Sequence, residues 1–541
     1  MIPLLLTMLA LPFAAAVTLV LLAPPRESAR WIALAGSLAT LVPALGLAGA
    51  VFAGEGRTTA SNAPVAPRFV TEINWFEYAQ AEGSPISVDI LLGVDRIGLV
   101  MSLATILVTA CCVLASWSRP LANAPWFYAA MLSLEGAALG QFAAFDLVSF
   151  YALFEFTLVP LYFLIALWGD SSGAVAARRS FVYLFTMSVF MFAGLALLVS
   201  SVAAAGLKTP CSIPAIAAWL ADHPLDPNIE IAAFCLIAIG VLAKTPTAPL
   251  HTWLPGAHAA SPTAANALFA GILLKPFGLL RICLPLFPAA SLLVGVPVIG
   301  ALSVVAIVYG SLCAVAQTDL KRLLAYSSVA HMGACTLGLL ALNAEGITGG
   351  VVLMVAHGIV TAGLFLLFGA LCDGYGVREL GAFGGIAAKM PAMATLLTLL
   401  VMASVGLPGL AVFPGEFLAI LGMFKTSWPL AVIAGSGVVL SAWYLLSTLA
   451  RVAFGPPKGL ADKPSGAHDL VGPELLAAGL LGVACVVLGV FPQLLVEAIR
   501  PDVERLAAIY SDERATAEPL AVIEHNAVIE PLAINLPSTT P

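Results

Sequence analysis

Four ionisable side chains stand inside or beside long apolar stretches of this sequence, where a solvated surface is not available to them. Glu155 lies in FYALFEFTLVPLYF, and Lys275 lies within ALFAGILLKPFGLLR rather than at its end. Lys244 and Glu416 each stand beside a stretch interrupted by proline and glycine. A charged side chain at the centre of a bilayer costs about 2.5–3.5 kcal/mol, and those that occur there are commonly functional. We therefore predict functional roles for all four.

The chemistry that these residue types favour is stepwise proton transfer. A lysine near an acidic partner keeps its proton, and it loses affinity for the proton when it is moved away or desolvated. His331 and His357 lie in two further apolar stretches; each could be a buried core histidine, and a role in the relay is slightly favoured. The sequence thus predicts a relay of Glu155, Lys244, Lys275, His331, His357 and Glu416.

Other ionisable residues in or near these stretches have structural explanations. We expect Glu135 to be structural, Arg281 to anchor a helix end at the membrane interface, and Asp146 to cap the start of a helix. His251 and His258 are expected at an interface in structural roles.

Composition defines the elements that must position these residues. Of the 541 residues, 61% are hydrophobic and 10% are charged, whereas soluble domains carry about 25% charged residues. Apolar runs such as IGLVMSLATILVTACCVLASW have the length of a spanning helix and lack the alternation of barrel strands. The sequence therefore predicts an all-α integral membrane protein.

We expect about fourteen spans and a division of the chain into four parts. The loop 54–90 is expected to contain no span, and 495–541 to form a tail. The parts are 1–125 (three spans and an outer loop), 126–286 and 292–454 (one five-helix repeat each), and 455–541 (the last span and the tail). The spans are placed near 3–23, 31–53, 92–116, 126–145, 147–168, 180–205, 230–249, 263–286, 292–316, 323–342, 347–372, 391–424, 429–454 and 472–494.

Two of these spans contain helix-breaking sequences, LAKTPTAPLHTWLPGAH in the seventh and SVGLPGLAVFPGEF in the twelfth. Proline removes a helix hydrogen bond and frees a carbonyl group. Broken helices at corresponding places in two halves are typical of transporters built from inverted repeats. The two breaks lie five spans apart, which predicts that spans 4–8 and 9–13 are such repeats.

Charge and cysteine content exclude several other functions. The net charge of -7 comes without a basic tract, so no nucleic-acid partner is expected. Nine cysteines occur without a CxxC spacing, and we expect neither a metal nor a redox cofactor. The first 23 residues read as a retained span rather than a cleaved signal peptide.

The distribution of basic residues predicts the orientation, because cytoplasmic connections are enriched in lysine and arginine. One set of alternate connections holds only Arg57, Arg68, Lys208 and Lys425. The other set holds Arg26, Arg30, Arg119, Arg178, Arg179, Lys321, Arg322, Arg378, Lys389, Arg451, Lys458 and Lys463. Both termini are therefore expected on the non-cytoplasmic side, most simply of a bacterial cytoplasmic membrane.

Five motifs in this order resemble the proton-conducting, antiporter-like membrane subunits of respiratory complex I, and most closely those of the M type. They are DLVSFYALFEFTLVPLYFLIALWG, AKTPTAPLHTWLPGAH, SPTAANALFAGILLK, AQTDLKRLLAYSSVAHMG and GLPGLAVFPGEF. The resemblance implies that the chain translocates protons, has no redox centre of its own, and works with the other membrane subunits of an NADH:quinone oxidoreductase. Lipid, protons and water are its other expected partners.

The resemblance also implies individual roles. Glu155 and Lys244 look like the coupled pair of the fifth and seventh helices, and Lys275 looks like the central lysine of the eighth. His331 and His357 fit the connecting relay. Glu416 stands where sister subunits carry lysine, which favours the M type.

The chain departs from the family pattern at three positions. Gly256 replaces an aspartate, Arg96 follows Asp95 in place of glycine, and Pro276 follows the eighth-helix lysine. Two other functions remain alternatives: a subunit of a multi-subunit cation/proton antiporter, and a membrane scaffold that no longer conducts. Charges buried within spans argue against the scaffold.

Overall fold

Helices account for most of the chain in the computed structural model, which describes residues 1–55, 65–78, 86–119, 121–456, 458 and 468–527. Arg57 and Lys463, two of the basic residues that predict the orientation, lie outside these residues. Among the described residues, ten helices are long and apolar enough to cross a membrane. The predicted class, a multi-pass α-helical membrane protein, is confirmed, whereas the number of about fourteen spans and the inverted repeats stay predictions.

The helices of the first half include one, α9 (Pro227–Lys244), that ends at the first predicted break. They are α1 (Ile2–Leu22), α2 (Arg26–Phe52), α3 (Arg96–Ala115), α4 (Ala124–Ala143), α5 (Leu147–Phe156), α6 (Leu158–Trp168), α7 (Gly173–Ala204), α8 (Ile213–Asp222), α9 (Pro227–Lys244), α10 (Leu254–Ala260) and α11 (Thr263–Ile272). In the seventh predicted span, 230–249, the helix thus ends at Lys244, before the prolines, and α10 begins beyond the span.

The second half begins with short helical pieces and continues with longer helices. A π-helix, Leu279–Cys283, comes first, and another, Ser291–Ile299, leads into α14; short 3₁₀ turns occupy Leu380–Ala382 and Ile386–Ala388. The α-helices are α12 (Leu284–Leu286), α13 (Pro288–Ala290), α14 (Gly300–Val315), α15 (Leu320–Leu339), α16 (Ala344–Tyr375), α17 (Pro391–Ser404), α18 (Val412–Thr426), α19 (Trp428–Ala453), α20 (Gly472–Val490) and α21 (Gln493–Ala527). The second predicted break separates α17 from α18.

Helix α16 forms the centre of the helical packing. Its most apolar 18-residue window is entirely buried, and it packs against α11, α15 and α18. It ends at Gly376, whose φ of 70° lies in the left-handed region, the conformation that glycine adopts most readily at a helix C-terminus. A polar side chain on α16, such as His357, therefore faces protein rather than lipid.

The predicted loop 54–90 contains a strand that the sequence analysis missed. Strand β1 (Arg68–Tyr78) pairs antiparallel with β2 (Ile86–Val94). Aromatic and β-branched residues favour this conformation, but a strand pair between predicted spans was not expected. Asp146 connects the hairpin to the helices: its carboxylate accepts the backbone N–H of Leu91 at 2.9 Å and that of Ser149 at 2.6 Å. Its predicted role as a helix cap is confirmed.

The predicted tail is helical as far as Ala527. Helix α21 lies against the start of α3, where the Asp502 carboxylate accepts the backbone N–H of Arg96 at 2.7 Å. The Tyr510 hydroxyl donates to the carbonyl of Leu284 at 2.6 Å. Charged residues between its apolar positions conceal this helix from a hydropathy-based prediction of spans.

We expect Gly349→Ala to destabilise the fold, because α16 and α18 meet backbone to backbone at this position. A Cβ atom on Gly349 would overlap the backbone nitrogen of Ala419. Overpacking typically costs about 1–3 kcal/mol, and a rigid backbone neighbour favours the upper end. The measurement is the thermal unfolding midpoint of the protein in detergent.

The matched control is Gly435→Ala on α19, where an added Cβ atom meets nothing within 4 Å. Equal melting temperatures for the two variants would contradict the proposed close approach of α16 and α18.

Candidate functional site

Lys244 lies at the last residue of α9, just before the chain leaves the helix. Its ammonium group is buried; it donates to the carbonyl of Phe154 and to the hydroxyl of Thr157, each at 2.7 Å. It also lies 3.7 Å from the centroid of the Phe154 ring, a geometry that attracts a cation. Both acceptors belong to the junction between α5 and α6, which interrupts the predicted fifth span at Thr157.

Glu155 lies between the two residues that bind Lys244. In the described part of the chain, no hydrogen bond or ion pair within 4.0 Å joins the two side chains. The half-buried carboxylate has the Ser188 hydroxyl of α7 beside it, and its Oε1 lacks a hydrogen-bond partner among the described residues. The structure thus brings the expected pair to one place without a direct ion pair between them.

Lys275 lies at a third helix break, which the sequence analysis did not predict. Helix α11 ends at Ile272, Lys275 itself is not helical, and the π-helix begins at Leu279. Pro276 explains the break, because proline has no N–H and disfavours the helical conformation of the residue before it. The Lys275 ammonium lies 3.0 Å from Nδ1 of His357 on α16.

His357 is the first of two histidines that lead from Lys275 towards the second predicted break. The ring centroids of His357 and His331 are 5.6 Å apart. Nδ1 of His331 lies 3.1 Å from the carboxylate of Glu416, and its Nε2 lies 3.3 Å from the hydroxyl of Ser404. Four predicted residues therefore form one series from the break after α11 to α18, here called the histidine chain: Lys275, His357 and His331, which are buried, and Glu416, whose side chain is 12% exposed.

The histidine chain is separate from the Lys244 site, which comprises Lys244, Glu155, Phe154 and Thr157. Among the described residues, no hydrogen bond or ion pair joins Lys244 to Lys275. Val241 on α9 instead packs directly against Gly278 beyond the break. The six predicted residues therefore occupy two places rather than one continuous line.

One expectation about a neighbouring ionisable residue was wrong. Arg281 does not anchor an interface: it is 3% exposed and binds both carboxylate oxygens of Asp95, at 2.6 and 3.0 Å. His258 is fully buried between the rings of Phe269 and Phe365, and its predicted position at the membrane interface stays a prediction. Both arrangements depend on the packing of segments that are distant in sequence, so hydropathy could not reveal them.

Glu135 and His251 are two further buried ionisable groups. One oxygen of Glu135 accepts the hydroxyl of Ser37 at 3.0 Å, and the other has no hydrogen-bond partner in the described part of the chain. His251 is buried with its ring against Tyr309 and Tyr326, and its predicted position at the membrane interface stays a prediction. Within the described ranges, neither contacts the histidine chain or the Lys244 site through a hydrogen bond.

A cavity of about 870 Å³ opens at the face that carries many of the basic connections. Lys321 lies in its wall and donates to a backbone carbonyl, that of Ser261, at 2.9 Å. Two ion pairs and several further polar side chains line it as well: Arg119 with Asp373, Arg378 with Asp170, and Ser116, Thr263, His468 and Glu474. We call this cavity the vestibule, and its polar lining suits water.

Asp170 illustrates the electrostatics of the vestibule outside the spans. Partial burial alone would raise the pKa of its carboxyl group, but hydrogen bonds from Ser172 and the charge of Arg378 outweigh burial and hold the pKa below its ordinary value. The vestibule therefore keeps a negative charge beside its arginines. In the described part of the chain, no three histidine, cysteine, aspartate or glutamate side chains converge as metal ligands would.

Comparison of the sequence with known proteins gives consistent matches. Residues 144–441 match the family model described as NADH:quinone oxidoreductase/Mrp antiporter, TM. NADH-quinone oxidoreductase subunit M of Rhodobacter capsulatus is 34% identical over 521 residues, which cover 94% of this chain and 96% of that protein. The protein of the same name from Pseudomonas aeruginosa is 38% identical over 415 residues, covering 75% and 80%.

Solved structures share the arrangement of helices. A chain of respiratory complex I from Thermus thermophilus with bound NADH superposes with a TM-score of 0.78 at 29% identity, covering 94% of this chain and 99% of that one. A chain of the Mrp complex from Dietzia sp. DQ12-45-1b gives a TM-score of 0.77 at 22% identity, with coverage of 94% and 97%, a likeness of fold alone.

Proposed function

Because this chain belongs to the family of NADH:quinone oxidoreductase and Mrp antiporter membrane subunits, we propose that it is the M-type proton-translocating subunit of an NADH:quinone oxidoreductase. The observation that carries this proposal is the histidine chain, in which two imidazoles connect a buried lysine to a glutamate that is 12% exposed. Imidazole accepts a proton on one nitrogen and releases one from the other, so it suits such a connection.

Each residue of the histidine chain has its own step in the proposed proton transfer. The Lys275 ammonium releases its proton to Nδ1 of His357, which lies 3.0 Å away. Nε2 of His357 has no hydrogen-bond partner among the described residues, so it can release a proton towards the ring of His331. His331 then delivers a proton from Nδ1 to the Glu416 carboxylate at 3.1 Å.

The Lys244 site is proposed to control the start of this transfer. Lys244 now binds the carbonyl of Phe154 and the hydroxyl of Thr157. A shift of its ammonium towards Glu155 would pair the two charges and raise the affinity of the lysine for its proton, whereas separation lowers that affinity. The distance between Lys244 and Glu155 is thus the variable that neighbouring subunits would change.

The proposal also includes where protons enter, where the energy comes from and how the protein lies in its membrane. Protons enter from the vestibule, whose polar wall ends at Lys321, and the energy comes from redox chemistry in other subunits. We place the protein in a bacterial cytoplasmic membrane, with both termini on the non-cytoplasmic side, because basic residues concentrate on the alternate connections. The two five-helix repeats, 126–286 and 292–454, belong to this proposal as well.

Extraction of the protein from its native membrane in mild detergent tests the assignment. We expect NADH:quinone reductase activity to migrate with the chain through size separation. Migration in a smaller, NADH-inactive complex that exchanges sodium ions for protons would contradict it and favour the alternative, a subunit of a multi-subunit cation/proton antiporter. The fold shared with the Mrp chain makes this the appropriate second candidate.

A further inference from the structure

A small cavity adjoins Glu416. Its volume is about 20 Å³, and it lies where α14, α15, α18 and α19 meet. Its polar lining comes from Ser311, His331, Glu416 and Ser441. The other lining residues are alanines, a glycine and branched aliphatic residues, so the polar groups all surround one small volume.

Ser311 faces this cavity with its hydrogen-bonding capacity unused. It is fully buried, and its hydroxyl has no hydrogen-bond partner among the described residues. Ser303, two turns earlier on α14 and equally buried, donates to the carbonyl of Ile299 at 2.8 Å, as a helical serine commonly does. A buried hydroxyl without a partner costs free energy, which points to a ligand on the cavity side of Ser311.

The volume and the polar lining of the cavity together indicate which ligand it can hold. A cavity of roughly 10–15 Å³ is already large enough to hold one water, and buried water normally makes two to four hydrogen bonds to polar groups. Dry cavities are apolar, whereas this one presents the Ser311 hydroxyl, the Glu416 carboxylate and the Ser441 hydroxyl. Ser441 already donates to the carbonyl of Val438 at 2.9 Å, so its oxygen remains an acceptor.

Glu416 has one oxygen to spare for such a ligand. Its Oε1 lies against His331. Its Oε2 lies near Gly406, 2.8 Å from where a Cβ atom of that residue would stand. Gly406 has a φ of 83°, so no side chain is expected there. Among the described residues Oε2 accepts no hydrogen bond, so it remains available to the ligand.

We propose that Ser311 and Ser441 hold a single water molecule against the Glu416 carboxylate, and that Ser311 is a positioning residue for proton transfer at the end of the histidine chain. The inference rests on the proposed function and deepens it. The water accepts a hydrogen bond from Ser311 and donates to the Glu416 carboxylate and to the Ser441 oxygen, so it orients the carboxylate that receives the proton from His331 and no proton leaves through the water. Ser311 acts only through this water.

The test uses the intact membrane complex with three variants. Ser311→Val fills the cavity with an apolar group, Ser311→Ala removes the hydroxyl alone, and Ser303→Ala is the matched control on the same helix. We expect a density map at water-resolving resolution to show one water between residues 311 and 416 in the native protein and none in Ser311→Val. The rate of proton transfer through this subunit, measured as vesicle acidification, should fall about tenfold in Ser311→Val, because displacement of the water removes one hydrogen bond to a charged group.

Ser311→Ala should reduce pumping in the same direction and Ser303→Ala should not, with equal amounts of assembled complex in both. Absence of the water in the native map, or normal pumping by Ser311→Val, would overturn the inference. Glu416→Gln, measured in parallel, distinguishes a failure of the proposed water site from a failure of the proposed relay. If it stops pumping while Ser311→Val pumps normally, only the water site is wrong; if it pumps normally, the proposed end of the relay is wrong and the inference fails with it.

Discussion

Replacement of Lys244 by alanine is expected to abolish proton pumping. The variant removes the one cation of the Lys244 site and leaves the carbonyl of Phe154 and the hydroxyl of Thr157 without their donor. Glu155→Ala should have the same effect, because the site then lacks the acid that changes the proton affinity of the lysine. A positioned acid or base contributes at least about a hundredfold to proton transfer, so pumping should fall below detection.

The measurement is acidification of vesicles that contain the reconstituted complex, driven by NADH and a quinone. Lys425→Ala is a matched control: this lysine pairs with Glu345 at the surface, its side chain is half exposed, and surface pairs contribute about 0–1 kcal/mol. Normal acidification by Lys244→Ala would show that the Lys244 site is not required for proton pumping.

Lys275→Met should interrupt the histidine chain at its first member. Methionine fills a similar volume and has no proton to give, so the helices should pack as before while His357 loses its donor at 3.0 Å. We expect a decrease of about a hundredfold in proton transfer through the subunit. The assembled complex should be recovered in normal amounts, because no packing contact of the backbone changes.

The same vesicle assay distinguishes this effect from a general effect of losing a lysine. Lys208→Met makes the identical substitution at an exposed position on the loop after α7, and its pumping should equal that of the native protein. Pumping by Lys275→Met at more than half the native rate would show that protons bypass the histidine chain.

Sequence patterns predicted the class of the fold and which charges would be buried, because hydropathy reports directly on the solvent around a residue. Lys244, Lys275, His331 and His357 are all buried as expected. Both proline-rich breaks were predicted for a local reason, the missing N–H of proline. The third break, at Lys275, has the same local cause, Pro276. It was not predicted, because a single proline within a long apolar run did not change the prediction of one continuous span.

Pairings between distant residues could not be predicted from the residues alone. Lys275 meets His357 across 82 positions, and Arg281 meets Asp95 across 186. Such contacts depend on the order in which helices pack, which no local pattern contains. The resemblance to a known family named the relay residues, but it did not indicate that the Lys244 site and the histidine chain lie apart.

The enclosure of α16 has a consequence for the synthesis of the protein. The residues around His357 become fully surrounded only when α18 has packed against α16, and α18 follows it along the chain. Until then the nascent protein lacks both Glu416 and the contact that orders His331. An incomplete chain therefore lacks the last member of the histidine chain, so under the proposed function it could not yet carry protons to Glu416.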